Sequence, residues 1–258
     1  MLHPPTNIMS CRFLTALPIF NEKNHVQSVL SKVRQTSEFV LVVDDGSTDG
    51  STELLEQEDD LLLVTHPHNL GYGAALRTAF QYAIDEKYDF LVTIDCDGQH
   101  EPQRIPQFIE ACQQVDIVSG SRYLETFAED GLPPEQRKQI NQEILVDLQD
   151  MLGLTLTDAF CGFKAYRVSA LEKLRITETG YAMPLELWVQ AVHLQLNIKE
   201  IAVPLIYLDE CRSFGSVMDD GNTRLAYYRR VIHESMLAVE ATSSPAPGQE
   251  HDSQEGVQ

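Results

Sequence analysis

Positive charge is scarce in this chain. Nineteen Lys and Arg stand against 39 Asp and Glu in 258 residues, a formal net charge of −20. Neutralising nucleic-acid phosphates takes clustered Lys and Arg, so this balance argues against a general nucleic-acid binder. It argues equally against broad docking on an anionic membrane surface. Cysteine is sparse too. Cys11, Cys96, Cys112, Cys161 and Cys211 are odd in number and widely spaced, with no CxxC pair. Neither a zinc ribbon nor a disulfide scaffold is expected, and a reducing cytoplasm is the expected compartment. No apolar run approaches the ~20 residues that span a bilayer. The N-terminus lacks the basic, apolar and small-residue order of a signal peptide. No integral membrane segment is expected, although peripheral contact at the inner face of a membrane stays open. No internal repeat is visible.

A hydrophobic content of 43% is ordinary for a folded protein. Short runs rich in Val, Ile, Leu and Phe occur at Arg12–Ile19, Phe39–Val43, Leu61–Thr65, Phe90–Ile94 and Ile117–Ser119. They have the length of buried strands. Helix-like segments lie between them, near Glu22–Gln35, Thr48–Gln57, Gly71–Glu86 and Pro102–Gln113. This alternation predicts an α/β fold with a mostly parallel sheet covered by helices on both faces. The second half is less regular. It reads as a long polar helix from Pro133-Pro134 to about Leu152, a strand Gly162–Arg167, a helix Pro184–Leu196, a strand Ile198–Tyr207 and a helix Asn222–Glu240. One unit over 1–241 is expected, with a regular half near 12–122 and a less regular half near 123–241. The Ser/Pro/Gly/Gln/Glu-rich tail 242–258 is expected to be disordered.

In parallel sheets ligands bind at the carboxyl ends of the strands. Here those ends carry Asp44-Asp45, Asp95-Cys96-Asp97 and Arg122. The segment Asp45–Glu56 also has the ligand spacing of a calcium loop, but that loop needs a helix on each side and Phe39–Val43 is a β run. Turn chemistry and helix capping explain Gly46 and Ser47 without explaining two adjacent carboxylates. Asp95-x-Asp97 suits a hard divalent cation beside a diphosphate, since Mg²⁺ typically takes one or two carboxylates and completes its shell with phosphate and water. Haloacid-dehalogenase phosphatases also use Asp-x-Asp, though normally after the first strand. Gly71-Tyr72-Gly73-Ala74-Ala75-Leu76 imitates a dinucleotide fingerprint only in part. Small residues for close packing explain much of it, while Asn69 and the backbone at Gly71 remain candidates to line a nucleotide or diphosphate site. His66 and His68 flank Pro67 in a loop.

Taken in order, several motifs resemble family 2 glycosyltransferases of the GT-A fold, most closely the dolichyl- or polyprenyl-phosphate mannosyl/glucosyltransferase group. They are Leu17–Glu22, Val43–Gly50, Asn69–Ala75, Asp95–Pro102, Gly120–Tyr123 and Asp158–Tyr166, with weaker echoes at Glu186 and Arg212–Gly215. The resemblance implies metal-dependent, inverting transfer of a hexose from a GDP- or UDP-sugar, with a nucleotide-sugar half near 12–122 and an acceptor half near 123–241. It implies that Pro18, Phe20 and Glu22 hold base and ribose and that Asp45 reads the base. It implies that Asp95, Asp97 and Gln99 coordinate Mg²⁺ or Mn²⁺, and that Arg122 and Arg212 meet phosphate, a task for the guanidinium fork.

Two features leave the acceptor open between a polyprenyl-phosphate-like molecule and a soluble hydroxyl compound. Gly215 is followed by Ser216-Val217-Met218 rather than Ser-Lys, and Glu125–Asp150 is acidic where the group is basic and apolar. A hydroxyl acceptor needs a base within hydrogen-bond reach, for which Asp158 and Glu186 are the candidates; each also has a structural reading, Glu186 as a buried partner for an Arg. Two other function classes also fit parts of the pattern. One is a non-catalytic nucleotide-sugar-binding module; the other is a phosphatase or nucleotidyltransferase of Asp-x-Asp type.

Overall fold

Strands that are apolar on both sides of the backbone must be covered on both faces. The computed structural model, which describes residues 11–128, 130–207 and 216–243, shows that arrangement. The elements run β1 (Phe13–Ile19), α1 (Val26–Val33), β2 (Phe39–Asp44), α2 (Ser51–Leu55), β3 (Leu62–Thr65), α3 (Tyr72–Asp85), β4 (Phe90–Thr93), α4 (Ile105–Cys112) and β5 (Ile117–Ser121). They continue with α5 (Glu135–Leu152), β6 (Lys164–Arg167), α6 (Val168–Leu171), α7 (Met183–His193), β7 (Ile198–Ala202) and α8 (Gly221–Ser243). The seven strands form one sheet in the order β3-β2-β1-β4-β6-β5-β7. All neighbours are parallel except β6, which is antiparallel to both β4 and β5.

The strand residues sort by the period of two. Leu14, Ala16, Leu41, Val43, Leu91, Ile117 and Tyr166 face a core shared with α3 and α5–α8. Leu17, Ile19, Val40, Val42, Val92, Val118 and Ala165 face a second core with α1 and α4. In the second core the rings of Phe108 on α4 and Phe163, just before β6, lie parallel at 4.0 Å, and both are fully buried.

The sequence leads to the sheet but not to the direction of β6. Because β6 runs against its neighbours, the residues that precede it, 158–162, sit at the same edge as the carboxyl ends of β4 and β5. The expected strand Ile198–Tyr207 stops at Ala202. Pro204 has no N–H to continue the ladder, and the Leu205 N–H donates to Asp130 Oδ1 instead, at 2.7 Å. The short helix α6 was not anticipated. Arg212–Gly215, Glu129 and 244–258 of the tail lie outside the described residues. Among the described residues no helix is long and apolar enough to cross a membrane.

Replacing Phe108 with Ala removes one half of the stacked pair from a closed core. The expected loss is about 3–5 kcal/mol of unfolding free energy, read by urea denaturation; a loss below about 1 kcal/mol would contradict this account of the second core.

Candidate active site

The strand order reverses between β1 and β4, because the chain leaves β3 at the edge and re-enters beyond β1. Such a switch point opens a crevice at the carboxyl edge. A cleft of about 390 Å³ lies there, within the usual range for small-ligand sites. The structure brings Pro18, Phe20, Glu22, Asp45, Asn69, Gly71, Asp95, Asp97, Gln99 and Arg122 together on its walls. The expected residue Arg212 lies outside the described residues.

One half of the cleft is acidic. Asp44 and Asp45 end β2 but divide their work. Asp44 is fully buried, accepts the Ser47 N–H at 2.9 Å and bonds the Thr52 hydroxyl, which is turn chemistry. With β2 in place of a helix, no helix–loop–helix calcium site forms here. Asp45 reaches across to the next strand connection. Its Oδ1 accepts from Leu70 N at 2.9 Å and lies 2.7 Å from His66 Nδ1; its Oδ2 accepts from Gly71 N at 2.8 Å. A carboxylate offers about four lone-pair directions, so Asp45 both fixes this turn and keeps one acceptor position on Oδ2. The other ring nitrogen of His66 lies 2.9 Å from the Thr78 hydroxyl.

Gly71 has φ +108°, and a Cβ there would lie 2.3 Å from the Thr179 carbonyl; at Gly73 it would lie 2.5 Å from the Glu178 carbonyl. The glycines of this turn are therefore required by the close approach of the 178–179 segment. That is packing, as the small residues suggested, but against a loop.

Asp95 and Asp97 follow β4. Asp95 Oδ1 accepts the Tyr72 hydroxyl at 3.0 Å, and its Oδ2 lies 3.6 Å from His100 Nε2. Asp97 Oδ1 accepts the Gln99 N–H at 3.0 Å. Among the described residues no group of three or more His, Cys, Asp or Glu side chains forms a ready-made metal cage. Two half-exposed carboxylates with a nearby amide oxygen are a hard-oxygen donor set. That set fits a divalent cation whose remaining positions are filled by phosphate and water.

The other half of the cleft is basic and aromatic. Arg122, Arg137 and Arg224 line it with Tyr123, Tyr207 and Tyr228. Arg137 Nη1 donates to the Tyr207 hydroxyl at 2.8 Å, and Arg224 Nη2 to Gln136 Oε1 at 3.1 Å. Burial lowers the Arg224 pKa, and the nearby Arg137 charge adds to that lowering.

Asp158 and Glu186, the candidate bases, have other work. Neither lines the cleft. Asp158 is fully buried and grips Arg122 with both oxygens, Nε to Oδ2 at 2.6 Å and Nη2 to Oδ1 at 2.9 Å. Glu186 sits on α7 and accepts from Thr177 N, Thr177 Oγ1, Glu178 N and Gln190 Nε2, at 2.7–3.1 Å. Its partners are loop amides and side-chain donors, not an Arg, so it shapes the loop against which the α3 turn packs. Sequence reasoning passed over the roles of His66, Tyr72, Arg137, Tyr181 and Arg224; they come from separate segments and no spacing links them.

Burial raises the Asp158 pKa, but the Arg122 charge and the hydrogen bonds from the Arg122 side chain, the Phe160 N–H and the Arg122 N–H outweigh it, and the net lies below the ordinary 3.8. A carboxylate whose pKa falls on folding adds stability that is complete above the ordinary value. That stability is lost as the pH drops through the lower folded value. Asp158→Asn should cost about 3 kcal/mol at neutral pH by stripping a largely buried guanidinium of its counter-charge. It should also flatten the acid limb of the stability–pH curve. Urea midpoints measured from pH 2 to 7 check both, and an unchanged acid limb would refute the assignment.

Comparison with known proteins agrees with this geometry. The profile of Glycosyl transferase family 2 matches residues 15–175. The undecaprenyl-phosphate mannosyltransferase of Micrococcus luteus is 30% identical over 220 residues, covering 81% of this chain and 90% of that protein. The polyprenol monophosphomannose synthase of Mycolicibacterium smegmatis is 28% identical over 238 residues, 88% of each chain. Among solved structures, glucosyl-3-phosphoglycerate synthase from Mycobacterium tuberculosis in complex with UDP superposes with a TM-score of 0.66 at 19% identity. The match covers 89% of this chain and 80% of that one. The same enzyme with Mn²⁺, UDP and glucosyl-3-phosphoglycerate gives 0.65 at 17% identity, covering 93% and 86%. A GT-A sheet, a cleft at its switch point and a profile match over most of the chain lead to one assignment: the chain belongs to glycosyl transferase family 2.

Proposed function

We propose that this glycosyltransferase moves a hexose, with inversion, from a nucleoside diphosphate sugar to an acceptor that carries a phosphate. The observation that carries this reading is the origin of the charges that line the cleft: Glu22, Asp45, Asp95 and Asp97 follow the neighbouring strands β1, β2 and β4, whereas Arg122, Arg137 and Arg224 come from the end of β5 and from α5 and α8. The acidic half suits a donor whose diphosphate comes with a cation. The basic half suits an anionic acceptor, which the arginine fork binds well. The engagement of Asp158 and Glu186 outside the cleft supports the same choice. A hydroxyl acceptor needs a base, whereas a phosphate oxygen attacks as an anion already. The names of the relatives agree, since two are named for a polyprenyl-phosphate or polyprenol-phosphate reaction.

In this reading Pro18, Phe20 and Glu22 hold the base and ribose, and Asp45 meets the base with its remaining acceptor position. Asn69 and the backbone at Gly71 line the diphosphate. Asp95, Asp97 and Gln99 hold Mg²⁺ or Mn²⁺, which when bound offsets the charge gathering on the departing diphosphate. Arg122, aimed by Asp158, steadies phosphate at the centre of the cleft. The acceptor oxygen then bonds the anomeric carbon on the face opposite the bond that breaks, and the nucleoside diphosphate leaves with that electron pair.

The test combines the purified chain, Mn²⁺ and GDP-mannose or UDP-glucose with three acceptors: a short polyprenyl phosphate, a soluble phosphorylated acid and the phosphate-free polyprenol. Product with either phosphate acceptor and none with the polyprenol is expected, and the two phosphate arms tell lipid from soluble carrier. Transfer to the polyprenol at an equal rate would overturn the reading. Asp97→Asn should lower metal-dependent transfer by about 100-fold or more, and full retained activity would remove Asp97 from the site.

A further inference from the structure

Asp95 is confined from several sides, by one group of its own loop and two from distant parts of the chain. Behind it runs the backbone at Gly162, where a Cβ would lie 2.1 Å from Asp95 Oδ2. Beside Oδ2 is His100 Nε2 at 3.6 Å. On Oδ1 is the hydroxyl of Tyr72 at 3.0 Å. Tyr72 is the first residue of α3 and follows Gly71, whose positive φ and contact with Thr179 fix the direction in which the helix starts. The Tyr72 ring is then held on the cleft wall by stacking on Tyr181, with centroids 5.8 Å apart and planes within 19°. The hydroxyl is an aimed donor on a rigid ring.

We infer that Tyr72 is a positioning residue for Asp95: its hydroxyl occupies Oδ1, fixes the carboxylate rotation, and so sets which lone pairs face a divalent cation in the cleft. This rests on the cation site proposed above. A cation such as Mg²⁺ demands near-ideal octahedral geometry, so a carboxylate free to rotate forms a poorer site than one held in place. Hydrogen-bond partners of metal-binding groups commonly matter 10–100-fold for affinity. A phenol hydroxyl is protonated at neutral pH, so it serves Asp95 as a donor. Nothing in the spacing of Asn69–Ala75 assigns this role to the residue between the two glycines.

The test is the variant Tyr72→Phe, which keeps the ring, its stacking and the helix start, and removes one hydroxyl. Binding of UDP and of GDP to the full-length protein is measured by calorimetry, without metal and across a Mn²⁺ titration. The Mn²⁺ concentration that gives half of the maximal enhancement of diphosphate binding is the readout, because the two ligands strengthen each other reciprocally. Tyr72→Phe is expected to raise that concentration about tenfold, to leave metal-free diphosphate affinity within about twofold, and to shift the melting temperature by less than about 4 °C. An unchanged Mn²⁺ midpoint overturns the inference. Equal weakening with and without metal also overturns it, since that is general loosening of the cleft. If the wild type shows no Mn²⁺ enhancement, the cation site itself is refuted and the inference falls with it, a result told apart by the wild-type curve alone.

Discussion

The ion pair between Arg122 and Asp158 holds the two halves of this cleft in register. It joins the carboxyl end of β5 to the segment that precedes β6, two elements that meet only because β6 is antiparallel within an otherwise parallel sheet. The carboxylate is supported in turn. Glu200 accepts the backbone N–H groups of Thr157 and Asp158, Asn141 accepts that of Ala159, and Trp188 donates to the Ala159 carbonyl. A buried charge without such wiring costs several kcal/mol. With it, a guanidinium stands fixed on the wall of the cleft, and Gly162, four residues after Asp158, brings backbone against Asp95. The basic and acidic linings of the cleft thus share one short piece of chain.

The far wall comes from beyond the family match, which ends at residue 175. Arg224 and Tyr228 on α8 line the cleft. Tyr227 donates to Glu178 at 2.5 Å, and Glu178 also accepts the Gly180 N–H at 2.6 Å. The last helix is therefore tied to the loop that packs against the start of α3. The turn before α3 and the last helix are thus joined through a few directional bonds.

Much of the fold could be read from the sequence because short apolar runs at the right length have only one way to be buried. That Asp45, Asp95, Asp97 and Arg122 meet on one cleft could be read because each lies within three residues of the end of such a run, and strand ends at one edge of a sheet converge. What could not be read has a common cause. The partners of Asp158, Glu186, Tyr72 and His66 lie across turns and helices whose directions are settled by packing, as with the reversal of β6. Asp158 and Glu186 invited a catalytic reading for this reason. A carboxylate in a motif looks the same whether it faces a substrate or a buried donor. The strand expected over Ile198–Tyr207 ends at Ala202, because Pro204 lacks the N–H that would continue the ladder.

Trp188 is the single tryptophan of the chain. It is fully buried on α7, its Nε1 bonded to the Ala159 carbonyl at 3.0 Å and the Lys164 ammonium 5.4 Å from its ring. The one strong natural fluorophore therefore stands directly behind the segment that carries Asp158 and Gly162. Its emission is an optical gauge of that wall: a displacement of the segment alters the field and hydrogen bonding of the indole, so a change in the cleft leaves a spectral trace without any label.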